Sequence, residues 1–269
     1  MVLVCLNEPD TRMMKGRDGY KMGYNAQIGV DSKNKFIIYN EIINETNDTG
    51  SLERNVKNQI QETGIRPQKV VADKGYNIIN QIKNLERKGI DCYIPQYTKS
   101  ENKVKYNYNE EEDIIICPGN KVFTNTNKIK SDRHQKYKLF RTTGYSDCKD
   151  CKNFDKCIRN KKGIVTVHLN LDYKFINYFK SKMKTSKAIK IIDERKEIVE
   201  HVFANLKYLI GRLGFTIKGI KNVQTAFDIF EISYNIKHLC NLNIFDKSVL
   251  PQQLEIYFDS KKSEIVSHF

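Results

Sequence analysis

The sequence lacks any apolar run long enough to cross a membrane, since its longest apolar stretches are only a few residues. It also lacks a recognisable secretory signal. The opening Met1–Leu6 is apolar, but it has no basic lead and is too short. No block of like charge stands out anywhere in the chain. We therefore expect a cytoplasmic, folded protein, with no membrane association and with its charge spread over its surface.

Charge is the first positive signal. The chain of 269 residues carries 46 Lys and Arg against 32 Asp and Glu, a formal net charge of +14. The sequence pI is about 9.3. Such an excess favours a polyanionic partner, with nucleic acid as the first candidate. The alternative is a lysine-rich surface composition without a dedicated partner.

Cysteines are the second signal, and seven of them in a cytosolic chain are not expected to form disulfides. Three are scattered among apolar residues and are interpreted as core residues: Cys5, Cys92 and Cys240. The other four are clustered: Cys117, Cys148, Cys151 and Cys157. Four thiolates that include a Cys-x2-Cys pair suit a closed, tetrahedral, structural Zn²⁺ site. The alternative is four reduced, free thiols.

Hydrophobic periodicity predicts a hairpin and a helix in the first part of the chain. Residues 22–30 alternate between apolar and polar, which predicts a half-buried strand, and residues 36–43 predict the returning strand. Residues 46–49 offer N-cap side chains before apolar residues at four-residue spacing, and Thr63-Gly64 ends that helix.

Asp73 follows the short β-branched run Lys69–Ala72, which predicts a strand buried on both faces. Gly75 then allows a sharp turn into a helix over about 78–88, and a further strand runs through 91–94. A carboxylate at the carboxyl end of a central strand is typical of the place where α/β folds position chemistry. The alternative is that Asp73 only caps the following helix.

The second half of the chain divides into an irregular stretch and two helices. From about 98 to 184 the periodicity breaks down, apart from a strand-like segment over 164–171, which suggests an insertion with its own small core or a metal in place of one. Amphipathic helices are predicted from Ser186 for some 25 residues and over about 223–242. The expected domain boundaries are 1–95, 96–185, 186–245 and a tail over 246–269.

Glu200 is the second carboxylate of interest, because it lies on the shoulder of the apolar face of the first of these helices, beside Phe203. Together with Asp73 it could ligate Mg²⁺, a hard cation that prefers oxygen ligands. The alternative is a solvated Glu200 paired with Lys196 by i,i+4 geometry.

Several separate blocks resemble bacterial insertion-sequence transposases of the DDE group, in particular those with a cysteine-bearing insertion between the second and third acidic residues. The blocks occur in the expected order over about residues 8–243 and comprise 22–31, 44–52, 72–76 and 195–203, with Lys207 beyond the last.

The resemblance implies a ribonuclease H-like α/β fold and two-metal DNA strand cleavage and transfer at insertion-sequence ends, with Mg²⁺ or Mn²⁺ as the cofactor. It assigns Asp73 as the second acidic residue and Glu200 as the third. It also assigns Lys207 to DNA phosphate and places Arg195 and Lys196 on the DNA side. The implied partner is double-stranded DNA, both transposon ends and target, at the nucleoid; a homo-oligomer is among the expectations.

The family's first catalytic Asp is the point of departure. In the family it lies on the central strand, upstream of the Tyr24-Asn25 block, whereas here Asp10 and Asp31 match other positions and Asp18 lies in a Gly-rich stretch. The expectation is an amino-terminally truncated copy that is inactive alone. The alternatives are a non-catalytic DNA-binding protein derived from a transposase and a ribonuclease H-like nuclease unrelated to transposition.

Overall fold

A computed structural model describes residues 5–16, 19–96, 106–132, 135–142, 151–153, 157, 165–210 and 217–242. The chain divides into two compact units, one formed by the residues up to Asn47 together with those from Lys196 onward, the other by Asp48–Arg195. None of the helices in these described ranges combines the length and hydropathy that a bilayer-spanning helix requires.

The first unit contains two antiparallel hairpins, part of one helix and the whole of another. Its strands are β1 (Arg12–Gly16), β2 (Gly19–Gly23), β3 (Asn25–Val30) and β4 (Ile37–Ile43). β1 pairs with β2 and β3 pairs with β4. The predicted hairpin is therefore confirmed as β3 and β4. However, the alternation that begins at Met22 was wrongly attributed to one strand, because Met22 belongs to β2 and faces Met13 across a separate hairpin.

Helix α4 (Ser186–Ile210) contributes its second half to the first unit, and α5 (Ile220–Asn241) belongs to it entirely. Their buried side chains pack against the apolar side of β3 and β4 in one core: Ile37, Ile42, Val202, Leu206, Val223, Phe227 and Tyr234. Both predicted helices are thus confirmed, within three residues at each end.

The second unit begins with an α/β segment whose elements agree with the periodicity. It comprises α1 (Leu52–Thr63), β5 (Lys69–Val71), α2 (Ile79–Arg87) and β6 (Asp91–Tyr93), and β5 pairs with β6 in parallel. Gly64 ends α1 in the left-handed conformation, with φ of 69°. The predicted cap over residues 46–49 is wrong, because Ser51 occupies the N-cap position and makes no capping bond through its side chain.

The predicted burial of β5 on both faces is also wrong. Lys69 is exposed and Val70 and Val71 are only half-buried. The physical reason is that β5 and β6 form a sheet of only two strands, so β5 has no second neighbouring strand in the described part of the chain.

The stretch without clear periodicity forms a five-stranded antiparallel sheet in the order β11-β10-β9-β8-β7. Its strands are β7 (Asn107–Asn109), β8 (Ile114–Ile116), β9 (Val122–Ser131), β10 (Lys136–Arg141) and β11 (Thr166–Asn170), and α3 (Tyr173–Met183) follows. One face carries a core of its own: Ile115, Cys117, Phe123, Phe140 and Val165. The expectation of a separate small core over this stretch agrees with the structure.

Candidate active site and metal-ligating residues

Asp73 lies two residues beyond the end of β5, and its carboxylate is exposed. Its Oδ1 accepts a hydrogen bond from the Lys74 N–H at 2.6 Å and so caps a short 3₁₀ helix, Lys74–Tyr76. The open alternative of a capping role is therefore correct for this local turn, although the helix α2 begins only at Ile79. A single capping bond leaves the rest of the carboxylate available for a ligand.

Gly75 lies in the turn after Asp73, and its φ is not positive. Its importance is space, because a Cβ at this position would lie 3.4 Å from Oδ2 of Asp48. The carboxylate of Asp48 thus lies next to the turn that carries Asp73.

The strand pair behind Asp73 is fixed by a buried ion network around Lys182 of α3. Its ammonium group contacts the carboxylates of Glu86 on α2 and Asp91 at the start of β6. It also lies 4.8 Å from the ring centroid of Tyr93. Although burial alone would raise the pKa of Asp91, hydrogen bonds from Lys182 and Tyr93 hold it below its ordinary value. This network attaches β6, the only strand paired with β5 in the described residues, to two helices.

Glu200 is exposed on α4, whereas Val202 and Leu206 on the same helix are buried in the core of the first unit. Lys196 and Lys207 are exposed and Arg195 is half-buried. The buried positions fix the helix, and the predicted acidic and basic side chains extend to solvent. Asp73 and Glu200 belong to different units. Their convergence on one metal site therefore stays a prediction.

The cysteine cluster is partly described. Cys117 is buried, and its Sγ accepts a hydrogen bond from the Lys121 N–H at 3.4 Å. A Cβ on Gly119 would lie 2.9 Å from Sγ of Cys151 and 3.6 Å from Sγ of Cys117, so the two thiols flank this glycine. Cys157 packs against the same core that contains Cys117. Cys148 lies outside the described residues.

The remaining cysteines agree only in part with their interpretation as core residues. Cys92 is fully buried, and burial raises the pKa of its thiol to about 12. Cys5 and Cys240 are half-buried. Of these three cysteines, only Cys92 is a buried core residue.

The donor chemistry of the candidate ligands fits the expected ions. Asp73 and Glu200 present exposed carboxylate oxygens, which suit Mg²⁺ or Mn²⁺, and the cysteines present sulfur, which suits Zn²⁺. Within the described residues, no three His, Cys, Asp or Glu side chains are grouped closely enough to hold a metal ion. A zinc site at the cysteines therefore stays a prediction.

Residues 116–240 match the family model described as Transposase DDE domain. The resemblance to insertion-sequence DDE transposases is confirmed. The matched segment includes Glu200, Lys207 and the cysteine cluster, whereas Asp73 lies before it. No match was found among curated proteins or among solved structures. DNA is the substrate class that the transposase family implies.

Two features with functional bearing escaped the sequence interpretation. The Lys182 network joins residues about 90 positions apart in the sequence, and no local pattern reveals such a contact. The second is the concentration of basic residues over 121–141, where seven of 21 residues are Lys or Arg and one is acidic. These basic residues do not form an uninterrupted block of like charge, because uncharged strand residues separate them.

Proposed function

We propose that this chain is the DDE domain of an insertion-sequence transposase that acts in DNA transposition by metal-dependent strand cleavage and transfer at the ends of the element. The family match over residues 116–240 carries this proposal. The exposed carboxylate of Asp73, beyond the carboxyl end of a parallel strand, supports it from the structure.

In this function Asp73 and Glu200 hold divalent metal ions, Mg²⁺ or Mn²⁺. Ions so bound lower the pKa of a coordinated water and stabilise charge on phosphate oxygens. The chain's own contribution is to present two carboxylates on rigid elements, one fixed by the bond to the Lys74 N–H and one on a helix fixed by buried Val202 and Leu206. Lys207, Lys196 and Arg195 supply positive charge to DNA phosphates.

We propose further that the first carboxylate of the DDE set comes from a strand outside residues 5–242. In the described part of the chain, β3 and β5 each have a strand on one edge only. A strand added at such an edge would complete the sheet. The chain alone is then inactive, and a separate upstream polypeptide that carries this strand restores metal-dependent cleavage.

The test is cleavage of a transposon-end duplex with Mg²⁺ or Mn²⁺, by the chain alone and with the upstream segment. Asp73→Asn is the informative variant, because an amide oxygen can still cap the Lys74 N–H while the charge is lost. On α4, Glu200→Gln is matched by Glu197→Gln, which is exposed on the same helix. We expect Asp73→Asn and Glu200→Gln to abolish cleavage and Glu197→Gln to retain it.

Three outcomes would contradict this proposal. Full activity of Asp73→Asn in the complemented reaction would remove Asp73 from the metal site. Cleavage by the chain alone that depends on Asp73 would mean that the missing first carboxylate lies within this chain, with Asp31 the first candidate to test. DNA binding without metal-dependent cleavage under any condition would favour the non-catalytic DNA-binding alternative.

We also propose a structural Zn²⁺ held by Cys117, Cys148, Cys151 and Cys157. The convergence of Cys117 and Cys151 on Gly119 favours this site, and so does the Lys121 N–H that points at Cys117 Sγ, since such a bond stabilises a thiolate. Purified protein should contain one zinc per chain, and Cys117→Ser or Cys151→Ser should lose it. Cys5→Ser is the control. Absence of zinc, together with free alkylation of the four thiols, would overturn the site.

A further inference from the structure

A pronounced excess of positive charge lies on the hairpin of β9 and β10. One residue in three is Lys or Arg over 121–141, against 46 of 269 in the whole chain. Lys128, Lys130 and Lys136, near the turn of this hairpin, are all exposed. None of the three forms an ion pair with a carboxylate in the described residues, so their charge is not compensated by a neighbour.

The geometry of the hairpin makes these lysines accessible. β8 pairs with β9 only over Val122–Thr124, and the part of β9 nearer the turn pairs with β10 alone. On its other edge β10 pairs with β11 over Tyr137–Arg141, so in the described residues this end of β9 is the outer strand of the part of the sheet that extends beyond β8. The register of β9 and β10 shifts between Lys138 and Phe140, where Asn127 on β9 has φ of 54°. Such a bulge increases the local twist of a strand pair.

The one acidic residue of the hairpin is engaged by the turn itself. Asp132 Oδ1 accepts the Gln135 N–H at 2.8 Å, and the Asp132 N–H donates to the Gln135 carbonyl at 2.9 Å. The carboxylate of Asp132 thus stabilises the turn. The turn-proximal end of the hairpin thus presents the three lysines, the exposed carboxylate of Asp132 and one exposed apolar side chain, Ile129, which is 61% exposed.

The strands next to this end of β9 carry further polar and ring side chains. Tyr137 lies opposite Lys130 on β9 and opposite Asn170 on β11. The rings of Tyr137 and His168 lie 6.1 Å apart. Burial, together with the charge of Lys130, lowers the pKa of His168. A surface with cations, amide and ring groups, and with one turn-bound carboxylate, is complementary to a phosphate backbone.

We propose that the turn-proximal end of the β9–β10 hairpin is a duplex-DNA-binding arm, in which Lys128, Lys130 and Lys136 contact backbone phosphates. Such phosphate contacts supply affinity that does not depend on base sequence. The inference rests on the proposed function for the identity of the partner. It adds a contact surface remote in sequence from Asp73, Glu200 and Lys207.

The test uses the full chain and duplex DNA of arbitrary sequence, with the binding constant measured from 50 to 200 mM salt. The arm variant is Lys128→Gln/Lys130→Gln/Lys136→Gln, and the matched control is Lys33→Gln/Lys57→Gln/Lys180→Gln, three exposed lysines elsewhere with the same loss of charge. Each lost phosphate contact lowers the slope of log K against log salt by about 0.9, so the arm variant should lose about 2.7. Affinity at 50 mM salt should fall at least about tenfold, against less than about threefold for the control.

A second variant and a second measurement keep the result independent of folding. The triple Lys→Arg exchange at the arm positions keeps the charge and should keep the slope. On the unaltered chain, DNA should protect Lys128, Lys130 and Lys136 from acetylation and leave Lys33, Lys57 and Lys180 reactive.

Equal slopes for the arm and control variants, or acetylation of the arm lysines unaffected by DNA, would overturn the inference. If Lys207→Ala still weakened binding in that case, the proposed function would stand without the arm. Tighter binding of the arm to single-stranded DNA than to duplex would also overturn it. Loss of cleavage in Asp73→Asn with unchanged DNA affinity would leave the arm intact, because cleavage and arm binding are measured separately.

Discussion

Replacement of Lys182 by Met is the sharpest test of how the strand behind Asp73 is held. The side chain is 13% exposed and contacts Glu86, which is 15% exposed, and Asp91, which is 39% exposed. Met keeps an unbranched apolar chain of nearly the same length, so the change removes the ammonium group that lies over the rings of Tyr93 and Phe179 with little loss of apolar volume. It leaves the carboxylate of Glu86 buried without its cation.

Removal of one partner from a buried ion pair costs about 3–5 kcal/mol. Because Asp91 is partly solvated and water screens its charge, we take the lower end, about 3 kcal/mol for the whole network. For a unit of this size each kcal/mol lowers the melting temperature by about 2–4 °C. Lys182→Met should therefore lower Tm by about 6–12 °C.

The assay is thermal unfolding followed by circular dichroism, with Lys180→Met as the control. Lys180 is exposed in the same last turn of α3, so its replacement should change Tm by less than about 2 °C. Alkylation of Cys92 gives a second measurement, since this thiol is fully buried in β6 and reacts only when the strand opens. Equal Tm values for the two variants, with Cys92 still protected in both, would refute the stabilising role of the network.

Three further predictions concern other parts of the molecule. Asn235→Ala should destabilise the first unit by about 1–3 kcal/mol and promote aggregation, because the amide of Asn235 bonds both the N–H and the carbonyl of Ile37 on the edge of β4. Aggregation is measured by light scattering, with Ser233→Ala as the control. Gly119→Ala should lower zinc retention measured by metal analysis, because its Cβ would lie 2.9 Å from Cys151 Sγ, whereas Gly23→Ala, with open space around it, should not. The pKa of Asp113 lies below its ordinary value because Tyr108 donates a hydrogen bond to it; hydrogen bonds from Asn125 and Lys138 also lower this pKa, whereas burial raises it. The stabilising effect of Asp113 is therefore present above the unfolded-state pKa and is lost as pH falls through the folded-state pKa. Urea unfolding of Asp113→Asn below pH 4 should show a weaker acid dependence than the unaltered chain, and identical slopes would contradict this.

The sequence predicted those elements whose periodicity is uninterrupted. The α4 and α5 helices and the β3–β4 hairpin have long apolar patterns and were predicted nearly to their ends. The β7–β10 strands were missed because several are only three residues long, and because β9 and β10 carry lysine at positions where alternation would need apolar residues. Lys138 on the core side of β10 pairs with Asp113, so a polar contact replaces the expected apolar one.

Prediction of the candidate site was limited by a different cause. Strand-end position identified Asp73, because the end of an apolar run is a local signal. The prediction of Glu200 required both its angular position on a long helix and the family resemblance. The Lys182 network is invisible in the sequence, since its partners Glu86 and Asp91 lie on other elements, 96 and 91 positions away along the chain.

Side-chain hydrogen bonds decide which strand edges are available for a further strand. On β4, Gln224 Oε1 accepts the Ile42 N–H at 2.6 Å and Asn235 Oδ1 accepts the Ile37 N–H at 3.0 Å. Side chains of α5 thus take up backbone groups that a further strand would need. On β6, the Cys92 N–H donates to Glu86 at 3.4 Å. β5 pairs with β6 alone in the described residues, so its other edge can accept a further strand.

The open edge of β5 has a direct consequence for Asp73. The Ala72 N–H donates to the Tyr93 carbonyl at 3.2 Å, so the backbone groups of Ala72 face β6. Because the backbone groups of successive strand residues point to opposite sides, those of Val71 face away from β6. A parallel strand added on that side would lie about 4.8 Å from β5 and end at the same edge of the sheet. A carboxylate at its carboxyl end would then be close enough to Asp73 to share a divalent ion. If instead the upstream segment restored cleavage when its own acidic residues were replaced by amides, the first carboxylate of the DDE set would not come from this edge, and strand addition would serve stability alone.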